Sequence, residues 1–433
     1  MFGYYLDLAL RSLKRNKVLT TLMVLTLGLG IGAYITTLTV LTLLSGDPVP
    51  QSSARLFYPQ IDPGPKDGYV PGQTQPPFAM TYIDAMNLLR ARHALRQAAM
   101  TSVAVKIGSV NPGSHPTLEN TVMTTVDFFG MFDVPFQYGS GWSAEDEENH
   151  ARVAVIAESL NDRLFGGKNS VGQYVRVNDH DFRIVGVLRH WAPEPRFYAI
   201  GAAGPSYGGH DALLMPLQTV RDAGITTPNY NCFTDQDTRN LETTSCMWLE
   251  FWVEFADPAD AVGYKAFLAN YVQQQISLGR FSRPEIAMRD MKHLLRYTGV
   301  VPDSVRLEAG VALGFLLVCV INAVGLLLAK CLRRSQEIGV RRALGATRKA
   351  IFAQFMVEAG LVGLVGGGLG LVFAEAGLWC IRRRPAEYAF LAHLDLQMFL
   401  FTFVVGLIAS LIAGLLPAWR ACTLAPAPQL KAA

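Results

Sequence analysis

Apolar residues are concentrated in four long runs, at 18–44, 309–329, 353–380 and 398–416. Each supplies the roughly 20 residues that a helix needs to cross a hydrocarbon core of about 30 Å. The first run is well beyond the roughly 7–15 residues of a secretory signal core, and no Ala-x-Ala site follows it, so it is read as an uncleaved anchor. Between the first and second runs the pattern changes. Residues 45–306 are polar overall, crowded with Gly and Pro at the start, and alternate in short stretches. The pattern predicts an α-helical membrane protein with four transmembrane helices and a large α+β extracytoplasmic domain inserted between helices 1 and 2.

Within the inserted segment, helical periodicity covers 83–96, and 103–105 and 121–125 read as short strands. A small helix is expected over 128–132, a strand over 152–157, and a helix over 158–165 closed by Gly166 and Gly167. Two strands, 174–177 and 182–187, are joined by a polar turn. Residues 189–244 are rich in Gly, Pro, Asn and Thr and read as a loop-rich lobe. A strand over 248–255 and a helix over 259–276 return the chain to the core, and 289–299 lead back to the membrane.

Charge then orients the spans. Half of the chain is hydrophobic and the net charge is only +3, too little to suggest a nucleic-acid partner. Arg11, Lys14, Arg15 and Lys17 precede span one. Lys330, Arg333, Arg334, Arg341, Arg342, Arg348 and Lys349 lie between spans two and three, and Arg420 follows span four. With four spans all three groups fall on one side, which the positive-inside rule makes the cytoplasm. Both termini are then cytoplasmic and 45–306 are outside. Arg382, Arg383 and Arg384 fall on the opposite side and are expected to snorkel to headgroups. Residues 1–17, with Leu6, Leu10 and Leu13 at helical spacing among basic residues, predict an amphipathic helix on the inner membrane face.

The segment 330–349 is too basic to enter a bilayer. Residues 335–344 contain no proline, and Glu337 and Arg341 stand at i and i+4 in the favourable order. Gly345 is a natural stop, and a second helix can begin near Thr347. The run Gln336-Glu337-Ile338-Gly339-Val340-Arg341-Arg342-Ala343-Leu344-Gly345-Ala346 resembles the cytoplasmic loop after the second span of FtsX/MacB-type ABC transporter permeases. The order of elements from 127 to 188, with the words Leu164-Phe165-Gly166 and Val185-Gly186-Val187-Leu188, is similar to the periplasmic core domain of that family. Pro417-Ala418-Trp419-Arg420-Ala421 resembles the family's Pro-Ala-x-x-Ala ending, with Trp419 where a basic residue is usual.

The resemblance implies a stand-alone permease subunit of the bacterial inner membrane, without the ATPase domain that is fused to MacB. It implies an ABC ATPase partner in two copies, with ATP and Mg bound there, and a second permease chain, the same or paralogous. It also implies a periplasmic adaptor, an outer-membrane duct and mechanotransmission to the outer domain. Glu337, Gly339, Arg341, Arg342 and Gly345 are the residues expected to couple to the ATPase. A regulator of periplasmic cell-wall hydrolases and a lipoprotein-extracting permease share this architecture and remain open beside export.

Other chemistry is mostly declined. Leu164–Ser170 superficially resembles a phosphate loop, but Asp162 and Asn169 stand where Gly and Ser/Thr are needed. No Walker motif occurs in the sequence, so the chain is read as no enzyme itself, with no cofactor of its own. His180, His190 and His210 are scattered, and no metal site is expected. Cys232 and Cys246 lie in the outer segment, where an oxidising compartment lets them form a disulfide. Gly28 and Gly32 form a GxxxG pair, and Gly363, Gly366, Gly367, Gly368 and Gly370 crowd span three, which suits close packing against another span or a second copy. Glu358 and Glu375 are read as lying near headgroups, and Asn322 as a hydrogen-bonding residue between helices.

Overall fold

A computed structural model describes residues 2–108, 115–200, 207–208, 210–233, 240–385 and 388–423. The chain divides into two compact units, Gly46–Val300 and the remainder, Met1–Ser45 with Val301–Ala433. In chain order, α1 (Phe2–Arg15) and α2 (Lys17–Leu44) come first. The inserted unit follows: β1 (Leu56–Ile61), β2 (Met80–Thr81), α3 (Tyr82–Ala91), β3 (Arg96–Ile107), β4 (Thr117–Thr124), α4 (Asp127–Met131), β5 (Phe136–Gly139), α5 (Ala144–Glu148), β6 (Val153–Ile156), α6 (Glu158–Phe165), β7 (Tyr174–Val177), β8 (His180–Leu188), β9 (Leu213–Pro216), α7 (Leu217–Asp222), β10 (Met247–Glu254), α8 (Ala261–Ser277), β11 (Ile286–Asp290) and α9 (Met291–Tyr297). Then come α10 (Asp303–Arg333), α11 (Ser335–Ala343), α12 (Arg348–Arg382) and α13 (Leu396–Thr423).

The inserted unit is built on one mixed sheet in the order β11-β1-β10-β3-β4-β9-β6-β8-β5, with β2 on β10 and β7 bridging β3 and β8. Most pairs are antiparallel; β4 with β9 and β6 with β8 are parallel. Strand alternation separates two cores. Leu249, Phe251 and Val253 of β10 join Leu88 of α3 and Leu268 and Val272 of α8 on one face. Trp252 points the other way, to Tyr58, Phe128, Met131, Met291 and Leu294. The unit begins and ends at neighbouring points, since Lys292 pairs with Asp47 at 3.4 Å.

Two expectations for this unit are corrected. The helix expected over 83–96 stops at Ala91, because Arg92 turns left-handed (φ 48°), and Arg96 already opens β3. The span 189–244 is no mere lobe, because β9 lies between β4 and β6 in the middle of the sheet. Its side chains are buried on both faces, Leu213 and Met215 in one core and Leu214 in the other. A four-residue apolar run buried on both sides shows no alternation to betray it. Strand β1 went unpredicted for a different reason: Pro59 lies within it, in a stretch full of proline.

Polar groups tie the irregular region to the sheet. Arg196 pairs with Asp211 at 3.1 Å and donates to Ser102 Oγ of β3 at 2.5 Å, while the Tyr198 hydroxyl donates to Asp211 at 2.6 Å. Burial pushes the Asp211 carboxyl above its ordinary range, against the pull of the Arg196 charge. Cys232 and Cys246 are joined in a disulfide. Beside it, Asn231 and Met247 exchange backbone hydrogen bonds of 2.9 and 2.8 Å.

In the other unit, α2, α10, α12 and α13 are each long and apolar enough to cross a membrane. They enclose Met23, Leu27, Ile31, Ile35, Leu316, Ala323, Leu327, Val362 and Ala413. Helix α1 packs on α12. Helix α13 does not end at Pro417 but continues through it to Thr423.

Replacing Cys232 by Ser is expected to lower the melting temperature of Gly46–Val300 by roughly 6–12 °C. A closed loop of about 15 residues is worth about 3 kcal/mol, and each kcal/mol moves a domain of this size by roughly 2–4 °C. Non-reducing calorimetry of the full chain checks this, and a wild-type curve indifferent to reductant would count against the bridge.

Candidate functional site

The end of the helical unit where α10 turns through α11 into α12 is built by short-range rules. Arg334 caps α10 and precedes α11. Gly345, at φ 99°, provides the left-handed turn that stops α11. Thr347 then caps α12 by accepting from Ala350 N at 3.2 Å. One face of α11 is apolar: Ile338 packs with Cys331, Ile351, Phe355 and Ala418, and Gly339 is buried beside it. The other face is left open, with Val340 and Leu344 exposed at i and i+4.

A network of charges fastens this corner. Glu337 accepts from Arg341 Nη2 at 2.7 Å, and from Arg334 Nε at 3.3 Å and Nη2 at 3.4 Å. Arg15 of α1 stands 3.8 Å away. Arg341 also donates to Gln354 of α12 at 3.1 Å. Deeper in, Glu358 of α12 is 1 % exposed and Lys330 of α10 is 2 % exposed. Lys330 Nζ donates to Glu358 Oε1, which also accepts from Ser12 Oγ of α1 at 2.7 Å. Arg334 Nη1 donates to Ser12 Oγ at 2.6 Å and lies 3.6 Å from Glu358 Oε2. Basic residues of α1, α10 and α11, with Arg334 between the last two, thus meet at two carboxylates.

Of the residues singled out from sequence, Glu337 and Arg341 form the expected pair, and Gly345 makes the turn. Arg342 is half-buried on α11. Gly28 and Gly32 face α12: a Cβ at Gly32 would meet Phe373 Cβ at 2.5 Å, and one at Gly28 would meet Leu369 at 3.1 Å. Gly363 faces α13, where a Cβ would run into Ser410. Gly367 leaves ordinary contact, 3.5 Å from Phe403, and Gly368 faces open space. Gly370, against Ile31 at 2.8 Å, is the tighter position. Cys232 and Cys246 belong to the other unit.

Three readings change. Asn322 is on the exposed face of α10 and makes no hydrogen bond to another helix among the described residues. Arg382 is held by protein, donating to Glu375 and to the Ala392 carbonyl, each at 2.6 Å. Arg383 lies over the Trp379 ring, 4.7 Å from its centre. Glu358 is not solvated by headgroups but locked in an ion pair. Ser12, Lys330 and Gln354 were not foreseen as members of the site. The available signal was one acid and one base of opposite sign, each near the end of an apolar run on consecutive spans.

A family model described as MacB-like periplasmic core domain matches residues 20–266, and one described as FtsX-like permease C-terminal matches residues 309–426. The macrolide export ATP-binding/permease protein MacB of Azoarcus sp. (strain BH72) is 27% identical over 299 residues, 68% of this chain and 40% of the relative. The pyoverdine export ATP-binding/permease protein PvdT of Pseudomonas entomophila (strain L48) is 26% identical over 307 residues, 70% of this chain and 41% of the relative. The chain spans about two fifths of the length of these curated relatives. A crystal structure of the periplasmic region of MacB from Actinobacillus actinomycetemcomitans aligns with 58% of this chain and 96% of that one, at 13% identity and a TM-score of 0.38.

Two glycine variants test the packing by sign. Alanine favours a helix over glycine by roughly 0.5–1 kcal/mol, whereas overpacking costs about 1–3 kcal/mol. Gly368→Ala is therefore expected to hold or raise the melting temperature of the detergent-solubilised chain, and Gly32→Ala to lower it.

Proposed function

We propose that this chain, which belongs to the family of permeases with a MacB-like periplasmic core domain and an FtsX-like C-terminal part, is the membrane subunit of a MacB-type ABC transporter. A separate ATPase subunit drives it through α11. The observation that carries this reading is α11 itself. It is a nine-residue charged helix, fixed to α12 by Ile338 and Arg341, that still presents Val340 and Leu344 outward. An exposed apolar pair on a helix of defined orientation suits a groove on a partner.

The four apolar helices and the matched periplasmic domain fit an inner-membrane protein with a periplasmic segment. The convergence of basic residues of α1, α10 and α11 supports a cytoplasmic α11 and cytoplasmic termini, with Gly46–Val300 in the periplasm. ATP and Mg bind the partner ATPase, present in two copies, and a second permease chain completes the membrane unit. Closure of the ATPases moves α11, and the spans pass that movement to the periplasmic unit without a channel for the substrate. Export with a periplasmic adaptor and an outer-membrane duct is favoured by the names of the relatives, macrolide and pyoverdine exporters.

A gentle-detergent pulldown of the tagged chain, followed by mass spectrometry, tests the assembly. Recovery of a Walker-motif ATPase with an adaptor supports export; an ATPase with a cell-wall hydrolase moves the reading to a regulator; absence of any ATPase overturns it. Glu337→Lys would place a cation among Arg15, Arg334 and Arg341. It is expected to leave membrane insertion intact and to cut the permease-dependent change in ATP hydrolysis by about tenfold, within the range of coupling free energies between sites. An unchanged rate would remove α11 from the drive path.

A further inference from the structure

The Glu358 carboxylate is the deepest charge at this end of the helical unit. Helix α12 has 35 residues, which makes it about 52 Å long against a hydrocarbon core of about 30 Å. The excess length lies outside the core or is taken up by tilt, and Glu358 stands ten residues, about 15 Å, from the start of the helix. Lys330, three residues before the end of α10, meets it there.

Holding α10 to α12 does not require this pair. Apolar side chains of similar volume are often as stabilising as a buried ion pair, or more so, whereas removing one partner alone is costly. What apolar contact lacks is direction, since it is indifferent to sliding. The four groups here are joined by oriented bonds. Glu358 is held by Lys330 of α10 and Ser12 of α1. Arg334 divides its donors between Ser12, beside Glu358, and Glu337 of α11. One buried carboxylate therefore reaches α1 and α10 directly, and α11 through a single guanidinium.

We infer that Glu358 is a positioning residue for coupling: with Lys330, Ser12 and Arg334 it clasps α1, the end of α10 and α12 into one body. A displacement of α11 is then delivered to the spans instead of being absorbed at the Arg334 corner. The inference rests on the role proposed for α11. It adds that α1, outside the loop between spans two and three, belongs to the same moving part, and that Arg334 is the link that a shift of Glu337 loads first.

The test uses the full chain, co-purified with its ATPase and held in lipid nanodiscs. Hydrogen exchange across residues 46–300 is compared between the vanadate-trapped and nucleotide-free states, and melting temperature is measured alongside. The double variant Lys330→Met/Glu358→Leu should melt at or above the wild-type temperature and keep its ATPase, yet lose the nucleotide-dependent exchange difference by about fivefold or more, the low end of site-to-site coupling. Glu358→Gln keeps the shape and an acceptor for Ser12 but leaves Lys330 without its counter-charge, so it should melt lower and show the same loss, while Glu358→Asp, which keeps the charge, retains more of the response. A wild-type-sized response in the double variant reduces the pair to a structural role and overturns the inference. Should the double variant fail to fold, a full response from folded Glu358→Gln overturns it equally. If the wild-type complex itself shows no nucleotide-dependent difference, the role of α11 falls first, and the clasp falls with it.

Discussion

A carboxylate and an ammonium removed from water together set the terms on which the charged end of the helical unit can form. Either charge alone in that position would cost several kcal/mol. Lys330 and Glu358 must therefore meet, and meeting fixes how far α10 and α12 can slide past each other. Ser12 donates to Glu358 Oε1 and accepts from Arg334, which stands 3.6 Å from Glu358 Oε2, so α1 and the α10–α11 corner inherit the same register. Arg15, Lys330, Arg334 and Arg341, far apart in sequence, meet at Glu337 and Glu358.

Along the rest of the spans the constraint is of another kind. Lipid offers apolar helices no hydrophobic gain from associating, so contact depends on close approach. Helices α2 and α12 approach at Gly28, Gly32 and Gly370, and α12 and α13 at Gly363, Gly406 and Gly414, where a Cβ would strike the neighbouring helix. Thr36 lies in the same seam. It donates to Gly32 O of its own helix at 2.8 Å and reaches Ala374 O of α12 at 3.3 Å. The seam defines which faces meet, and the ion pair defines their axial position.

The features legible in the sequence are those written in local pattern. Four apolar runs gave the spans, and the i, i+4 order of Glu337 and Arg341 with Gly345 behind them gave α11 nearly to the residue. Strand β10 and helix α6 were equally plain. What escaped was whatever depends on distant partners. Leu213–Pro216 is a sheet strand only because β4 and β6 lie on either side of it. Ser12 is a site residue only because Glu358, 346 positions away, accepts a hydrogen bond from its hydroxyl. Glu358 was weighed singly, as a carboxylate near headgroups, and its meaning changed once Lys330 stood opposite. A charge within an apolar run is better read with its opposite-signed counterpart on the next span than against solvent.

A part that is to move as one body has to resist internal deformation. The inserted unit meets that condition by means independent of the spans. Its central strands are hydrogen-bonded on both sides, and its irregular region is tied down by Arg196, Asp211 and Ser102 in a buried network whose members are costly to separate. The Cys232–Cys246 bridge clamps the approach to β10. The chain enters the unit beside Asp47 and leaves it beside Lys292, and those two side chains are paired. Both covalent connections to the spans are therefore anchored at one place in a body that resists internal shear.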